Sequence, residues 1–174
     1  MIDCNKDKMT IEFIKRTKEN LDTYYSHAKN ENREVTLLIN SLFGLLTVPK
    51  EKFYKDIDNI FNNENLLNKI RNCISCDTYK NENPISISVA KILKHMRNAL
   101  SHYRIILQGD NPYSSNELIE IKNVFFFDED TYDNRNYRFE MTISLTLLKE
   151  FVDEIFNTII NNKDKLLNKG SVVK

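Results

Sequence analysis

The sequence predicts an all-α protein: an antiparallel, up-and-down helical bundle with a small β-hairpin inserted before the last helix, at about residues 117–143. Three observations carry this reading. Apolar residues recur at helical spacing through several long segments, only 3 Gly and 3 Pro interrupt 174 residues, and the two stretches that alternate or cluster like strands lie close together late in the chain. With 41% hydrophobic residues the chain has enough material for one continuous core, so a single domain over 1–174 without internal repeats is expected.

The elements follow in order. Thr10 is placed to cap a first helix in which Ile11, Ile14, Leu21, Tyr25 and Ala28 share a face while Lys15, Lys18, Glu19 and Asp22 turn outward. A second helix beginning near Asn32 is apolar on nearly every side (Val35, Leu37, Leu38, Ile39, Leu42, Phe43, Leu45, Leu46), as suits a helix surrounded by others. Its small residues Asn40, Ser41 and Gly44 fit close helix approach or bonding to nearby backbone. Pro49 suits the first position of a third helix carrying Phe53, Ile57, Ile60 and Phe61, which Asn62 and Asn63 close. A short turn around Leu66, Leu67 and Ile70 leads into a polar loop over 75–84. The fourth helix is expected over about 86–107, stopped by Gly109-Asp110-Asn111-Pro112. Two strands follow, one containing Leu118-Ile119-Glu120-Ile121 and Val124-Phe125-Phe126-Phe127, the other 137–143, with an acidic tip of Asp128, Glu129, Asp130 and Asp133 expected to stay solvated. Ser144 caps a last helix with Leu148, Phe151, Val152, Ile155 and Ile159 in one stripe, and the tail from Lys163 is expected to fray.

Composition narrows the function. Formal net charge is +0 and the sequence pI about 6.8, so the chain lacks the field of a general nucleic-acid coat protein and any RNA contact must be local. The longest apolar run, 35–48, is interrupted by polar residues and is shorter than a bilayer requires, so no membrane partner is expected. The polar start and the odd count of 3 Cys fit a reducing cytoplasm. Cys73-x-x-Cys76 has the spacing of half a zinc knuckle but no second pair, and neither a Gly-rich phosphate loop nor a nucleophile elbow occurs; no metal and no cofactor are expected.

The fourth helix carries the chemistry. At about 100° per residue, Val89, Leu93, Met96, Leu100, Tyr103 and Leu107 form the buried stripe. His95, Asn98 and His102 then fall on the opposite side, with Arg97 at the boundary and Ser101 one turn on. Cleaving a phosphodiester requires a proton taken from the nucleophile, a proton given to the leaving oxygen and stabilisation of charge on phosphorus-bound oxygens. Histidine titrates near neutrality and serves the first two, while the planar guanidinium fork of arginine serves the third. Arg97 and His102 are the candidate catalytic residues, with Asn98 orienting His102 or holding a phosphate oxygen; His95, Ser101 and Arg104 are secondary. One imidazole cannot be base and acid in the same step, so a homodimer joining two copies of His102 is expected. Ile105 and Ile106, turned off the main stripe, offer it apolar surface.

Arg97-Asn98-x-x-x-His102, late in a long helix of a small bundle, resembles the signature of the HEPN domains. The run from Glu34 through Asn40-Ser41-Leu42-Phe43-Gly44 to Pro49, followed by His95-Met96-Arg97-Asn98-Ala99-Leu100-Ser101-His102, is similar to a subfamily of small, stand-alone, plasmid-associated members, and the likeness spans about 11–160. The resemblance implies a bundle that dimerises across the motif helices and cleaves RNA without metal through the ribose 2′-hydroxyl. Arg97, Asn98 and His102 would carry that activity, in a toxin or phage-defence effector with an antitoxin protein as a further partner. The alternative is a non-catalytic HEPN module that binds a nucleotide or a protein. Some toxin members place a Tyr two residues after the His, the target of nucleotide transfer by an antitoxin. Here that position is Arg104, and the neighbouring Tyr103 projects onto the buried stripe.

Overall fold

The computed structural model describes residues 6–27, 34–47, 51–77, 86–109, 121–130 and 137–168. The chain divides into two compact units, one of 1–61 with 152–174 and the other of 62–151.

The first unit is helical. It contains α1 (Lys6–His27), α2 (Glu34–Thr47), α3 (Glu51–Ile60), the later part of α6 (Leu145–Asn161) and α7 (Lys163–Asn168). The apolar positions expected of α1 and α2 are buried: Ile14, Leu21, Leu42 and Leu46 are fully enclosed. α1 packs on α2 and on α7. Gly44 lies at the contact of the first pair, where an added Cβ would come within 3.1 Å of the Phe13 ring. The Tyr54 hydroxyl donates to the Leu46 carbonyl, tying α3 back to the end of α2. Two expectations shift: Thr10 lies inside α1 and does not cap it, and the segment from Lys163 continues as α7. Asn32 and Pro49 lie outside the described residues.

The second unit corrects the fold class. In place of an all-α bundle with one hairpin insert, it holds the short helix α4 (Glu64–Arg71) and a four-stranded antiparallel sheet with α5 (Val89–Ser101) packed on it. The strands are β1 (Ile74–Asp77), β2 (Ile105–Gly109), β3 (Ile121–Asp130) and β4 (Tyr137–Ser144), in the order β1-β4-β3-β2. The expected hairpin is the β3–β4 centre of this sheet, in register from Asn123 opposite Ser144 to Asp130 opposite Tyr137. Each flank adds a strand. β1 forms from residues expected as loop, and the Thr142 amide donates to the Cys73 carbonyl where it joins β4. β2 forms from residues expected to end the fourth helix.

α5 therefore stops at Ser101, six residues before the expected end at Leu107, and the reason is a helix terminator that the sequence does not advertise. The Arg104 amide donates to the Ala99 carbonyl at 2.7 Å and the Tyr103 amide to the Leu100 carbonyl at 3.3 Å, with Tyr103 in the left-handed region at φ 55°. This 6→1 and 5→2 pair is the Schellman stop, normally built on glycine. The β-branched pair Ile105-Ile106 beyond it suits a strand. At the other end Ser88 caps α5, its hydroxyl accepting from the Lys91 amide at 3.3 Å. Ser144 likewise accepts from the Leu147 amide at the start of α6, as expected.

One face of the sheet is apolar. Val124 and Phe126 on β3 and Phe139, Met141 and Ile143 on β4 are fully buried, following the period-two alternation of strands. Asp128 continues the same series and is 4% exposed.

Candidate functional site

The motif occupies the last turn of α5 and its stop. His102 is the C-cap residue and its side chain is exposed; Ser101 before it is exposed as well. Arg97 and Asn98 are half-buried one turn upstream. Their side chains are joined: Arg97 donates from Nη2 to the Asn98 Oδ1 at 3.1 Å, with Nε at 3.4 Å from the same oxygen. Arg97, Asn98 and His102 thus lie within two turns at one helix end, as their spacing requires.

The other side of Asn98 faces the sheet, where its Nδ2 donates to Asp128 Oδ2 at 3.1 Å. The same oxygen lies 2.9 Å from His95 Nδ1, so a carboxylate on β3 ties two residues of the motif helix together. His95 itself is 4% exposed and stacks on Phe139, ring centroids 4.5 Å apart and planes 26° from parallel. Its expected exposure is overturned, because α5 is covered on both sides: the stripe Val89, Leu93, Met96 and Leu100 is buried as expected, and the sheet takes up the face that a bundle would have left to water.

Arg104 follows the stop and is half-buried. It donates from Nη1 to the Glu129 carbonyl at 2.7 Å and lies 3.8 Å from Asp128 Oδ1, with its guanidinium 5.5 Å from the Phe127 ring centroid. The Phe127 amide donates in turn to the Arg104 carbonyl at 3.1 Å. Arg104 therefore clips the loop after the motif to β3, a structural engagement that its position in the sequence did not suggest.

Two further expectations fail here. Tyr103 is 93% exposed, and Leu107 is 45% exposed on β2, because neither belongs to the helix. Asp128, expected at a solvated tip, is the buried partner of His95 and Asn98. Sequence reasoning missed it by treating 128–133 as one acidic cluster. The signal was present in the strand alternation, since Asp128 is in phase with Val124 and Phe126.

At the edge of the sheet, Lys91 pairs with the buried Asp77 at 3.3 Å, fastening β1 to α5. Burial pushes the Cys73 thiol above its ordinary range. Among the described residues no group of three or more His, Cys, Asp or Glu is arranged to hold a metal, and no helix is long and apolar enough to cross a membrane.

The residues on which the HEPN resemblance rests, a guanidinium, a carboxamide and an exposed imidazole, lie at one helix end, braced by a strand carboxylate. The chain belongs to that family: the family described as HEPN pEK499 p136 matches residues 1–166, the small plasmid-associated group to which the sequence is similar. No curated protein and no solved structure matches the chain.

Proposed function

We propose that the protein is a metal-independent endoribonuclease of HEPN type, acting as a homodimer in the setting of a toxin or phage-defence effector. The observation that carries this reading is the pairing of Arg97 with Asn98 one turn before the exposed His102 ring at the end of α5. In the proposed step, one imidazole takes the proton of the ribose 2′-hydroxyl. The 2′-oxygen attacks the adjacent phosphorus, and the second copy's imidazole gives a proton to the departing 5′-oxygen. Arg97 holds charge on the phosphoryl oxygens. The exposed Tyr103 ring beside His102 offers a stacking face for an unpaired base, which favours single-stranded RNA. Ile106 and Leu107, 57% and 45% exposed on β2, give a dimer apolar surface.

One observation favours the alternative, a non-catalytic HEPN module that binds a nucleotide or a protein. The C-terminal pole of a helix is negative, and Asp128 adds a carboxylate beside the motif, so the extra charge that builds on phosphoryl oxygens in a transition state is stabilised there only by guanidinium groups. The experiment that separates the two compares wild type with His102→Ala on RNA in the presence of a chelator. Loss of cleavage by at least about 100-fold in the variant is expected for a general acid–base residue. Equal cleavage by both, or none by either alongside nucleotide binding in calorimetry, removes the enzyme reading.

A further inference from the structure

We propose that Asp128 is the positioning residue of the motif: from β3 its carboxylate fixes which way the Asn98 amide faces, and through it the aim of the Arg97 guanidinium. A carboxylate offers only acceptors, so Asn98 must turn its NH2 group toward Asp128, as it does at 3.1 Å. That leaves the Asn98 Oδ1 toward Arg97, where it accepts at 3.1 and 3.4 Å. The flipped amide would oppose oxygen to oxygen at Asp128 and donor to donor at Arg97. Both contacts reject it, and of the two partners Asp128 is the buried one while Arg97 is half-buried, so the strand carboxylate is the fixed anchor of the orientation.

Asp128 is itself held. His95 sits 2.9 Å from the oxygen that Asn98 uses, and Arg104 lies 3.8 Å from the other. Phe139, the ring on which His95 stacks, is the cross-strand neighbour of Asp128 on β4. A buried carboxylate is costly to retain unless its hydrogen bonds are made, and an apolar pair would fasten helix to sheet as well. What an apolar pair cannot do is choose the face of an amide. The chain of contacts from Phe139 through His95 and Asp128 ends on Asn98 and Arg97, the residues proposed to meet phosphate.

The activity arm of the test rests on the ribonuclease reading; the spectroscopic arm does not. In Asp128→Asn the partner offers either an oxygen or an NH2, so the strand no longer selects the Asn98 face and only the half-buried Arg97 does. The expected result is a kcat lowered about 10–100-fold with KM nearly unchanged, because a guanidinium slightly misaimed loses most where charge develops in the transition state. In the Asn98→Ala background the same change adds little, because the path through the amide is already gone. A kcat equal to wild type, or losses that multiply in the double variant, overturns the proposal. Independently, the Asn98 side-chain NH2 protons in ¹H–¹⁵N spectra are expected to exchange slowly in wild type and at the solvent rate in Asp128→Asn, with the α5 backbone signals in place. Unchanged exchange in the variant overturns the proposal. If the variant does not fold, the wild-type spectrum decides, and fast Asn98 exchange there overturns it. A wild type that cleaves no RNA but shows the protected amide refutes the enzyme reading and leaves the role of Asp128 standing.

Discussion

Replacing Tyr103 by glycine should stabilise the protein although it deletes a whole aromatic side chain. Tyr103 sits at φ 55°, in the left-handed region, as the residue that ends α5. For a residue with a Cβ this conformation costs roughly 1–2 kcal/mol, and glycine adopts it freely. Glycine also gains entropy in the unfolded chain, which returns about 0.4–1 kcal/mol of that benefit. Burial adds almost nothing to the other side, because the tyrosine is 93% exposed. Both bonds of the stop, Arg104 to Ala99 and Tyr103 to Leu100, are backbone bonds that glycine keeps. The net expectation is a gain of about 0.5–1 kcal/mol, equivalent to a rise of roughly 1–4 °C in the melting temperature for a chain of this size. Tyr103→Ala keeps the strain and should fall near wild type. Urea denaturation of the three proteins, read as midpoints at equal slope, measures it. Destabilisation of Tyr103→Gly by more than about 1 kcal/mol would refute the reasoning, because it would mean that side-chain contacts hold the turn. A strained, exposed aromatic next to His102 is the kind of outlier that function retains at the expense of stability. The same glycine variant is accordingly expected to bind single-stranded RNA more weakly while being more stable.

Two further expectations concern the helical unit. Gly44→Ala should raise the melting temperature slightly: alanine is favoured over glycine by up to about 1 kcal/mol inside a helix, and the Phe13 ring that its Cβ meets at 3.1 Å is 43% exposed and free to swing. Gly44→Val, with branching at that contact, should lower it. Lys18 supplies a pH dependence. Burial alone would push its ammonium down, but hydrogen bonding and charge from Asp22 and Asp153 outweigh it and hold the pKa above the ordinary 10.5. A raised folded-state pKa contributes stability that is present below pH 10.5 and is lost as pH rises through the folded value. Denaturation series above that pH should therefore show wild type losing stability more steeply than Lys18→Met, and parallel curves would contradict the assignment.

The legible part of the fold was whatever repeats with a period. Ile14, Leu21, Leu42 and the α5 stripe from Val89 to Leu100 are buried where helical spacing put them, and β3 and β4 alternate as strands should. Illegible were the places where local sequence is neutral and tertiary pairing decides. β1 spans only Ile74–Asp77 and contains Ser75 and Cys76, so it becomes a strand because β4 offers an edge, not because its residues demand it. The end of α5 was hidden because its terminator uses tyrosine where glycine is the usual sign. That one misplaced stop carried Leu107 onto a helix face and Ile105-Ile106 with it. At the candidate site, Arg97, Asn98 and His102 could be grouped from spacing alone, whereas the burial of His95 and the reach of Asp128 depend on α5 packing against the β3–β4 pair, a tertiary placement that spacing does not give.

The most direct measurement of the central claim is the chemistry of the RNA ends left after incubation with the purified protein in excess chelator. Attack by the 2′-hydroxyl, with His102 moving the proton, predicts upstream fragments ending in a 2′,3′-cyclic phosphate and downstream fragments beginning with a free 5′-hydroxyl, both missing when His102→Ala is used. Fragments ending in 3′-hydroxyl and 5′-phosphate, or cyclic ends produced equally by the variant, would contradict it.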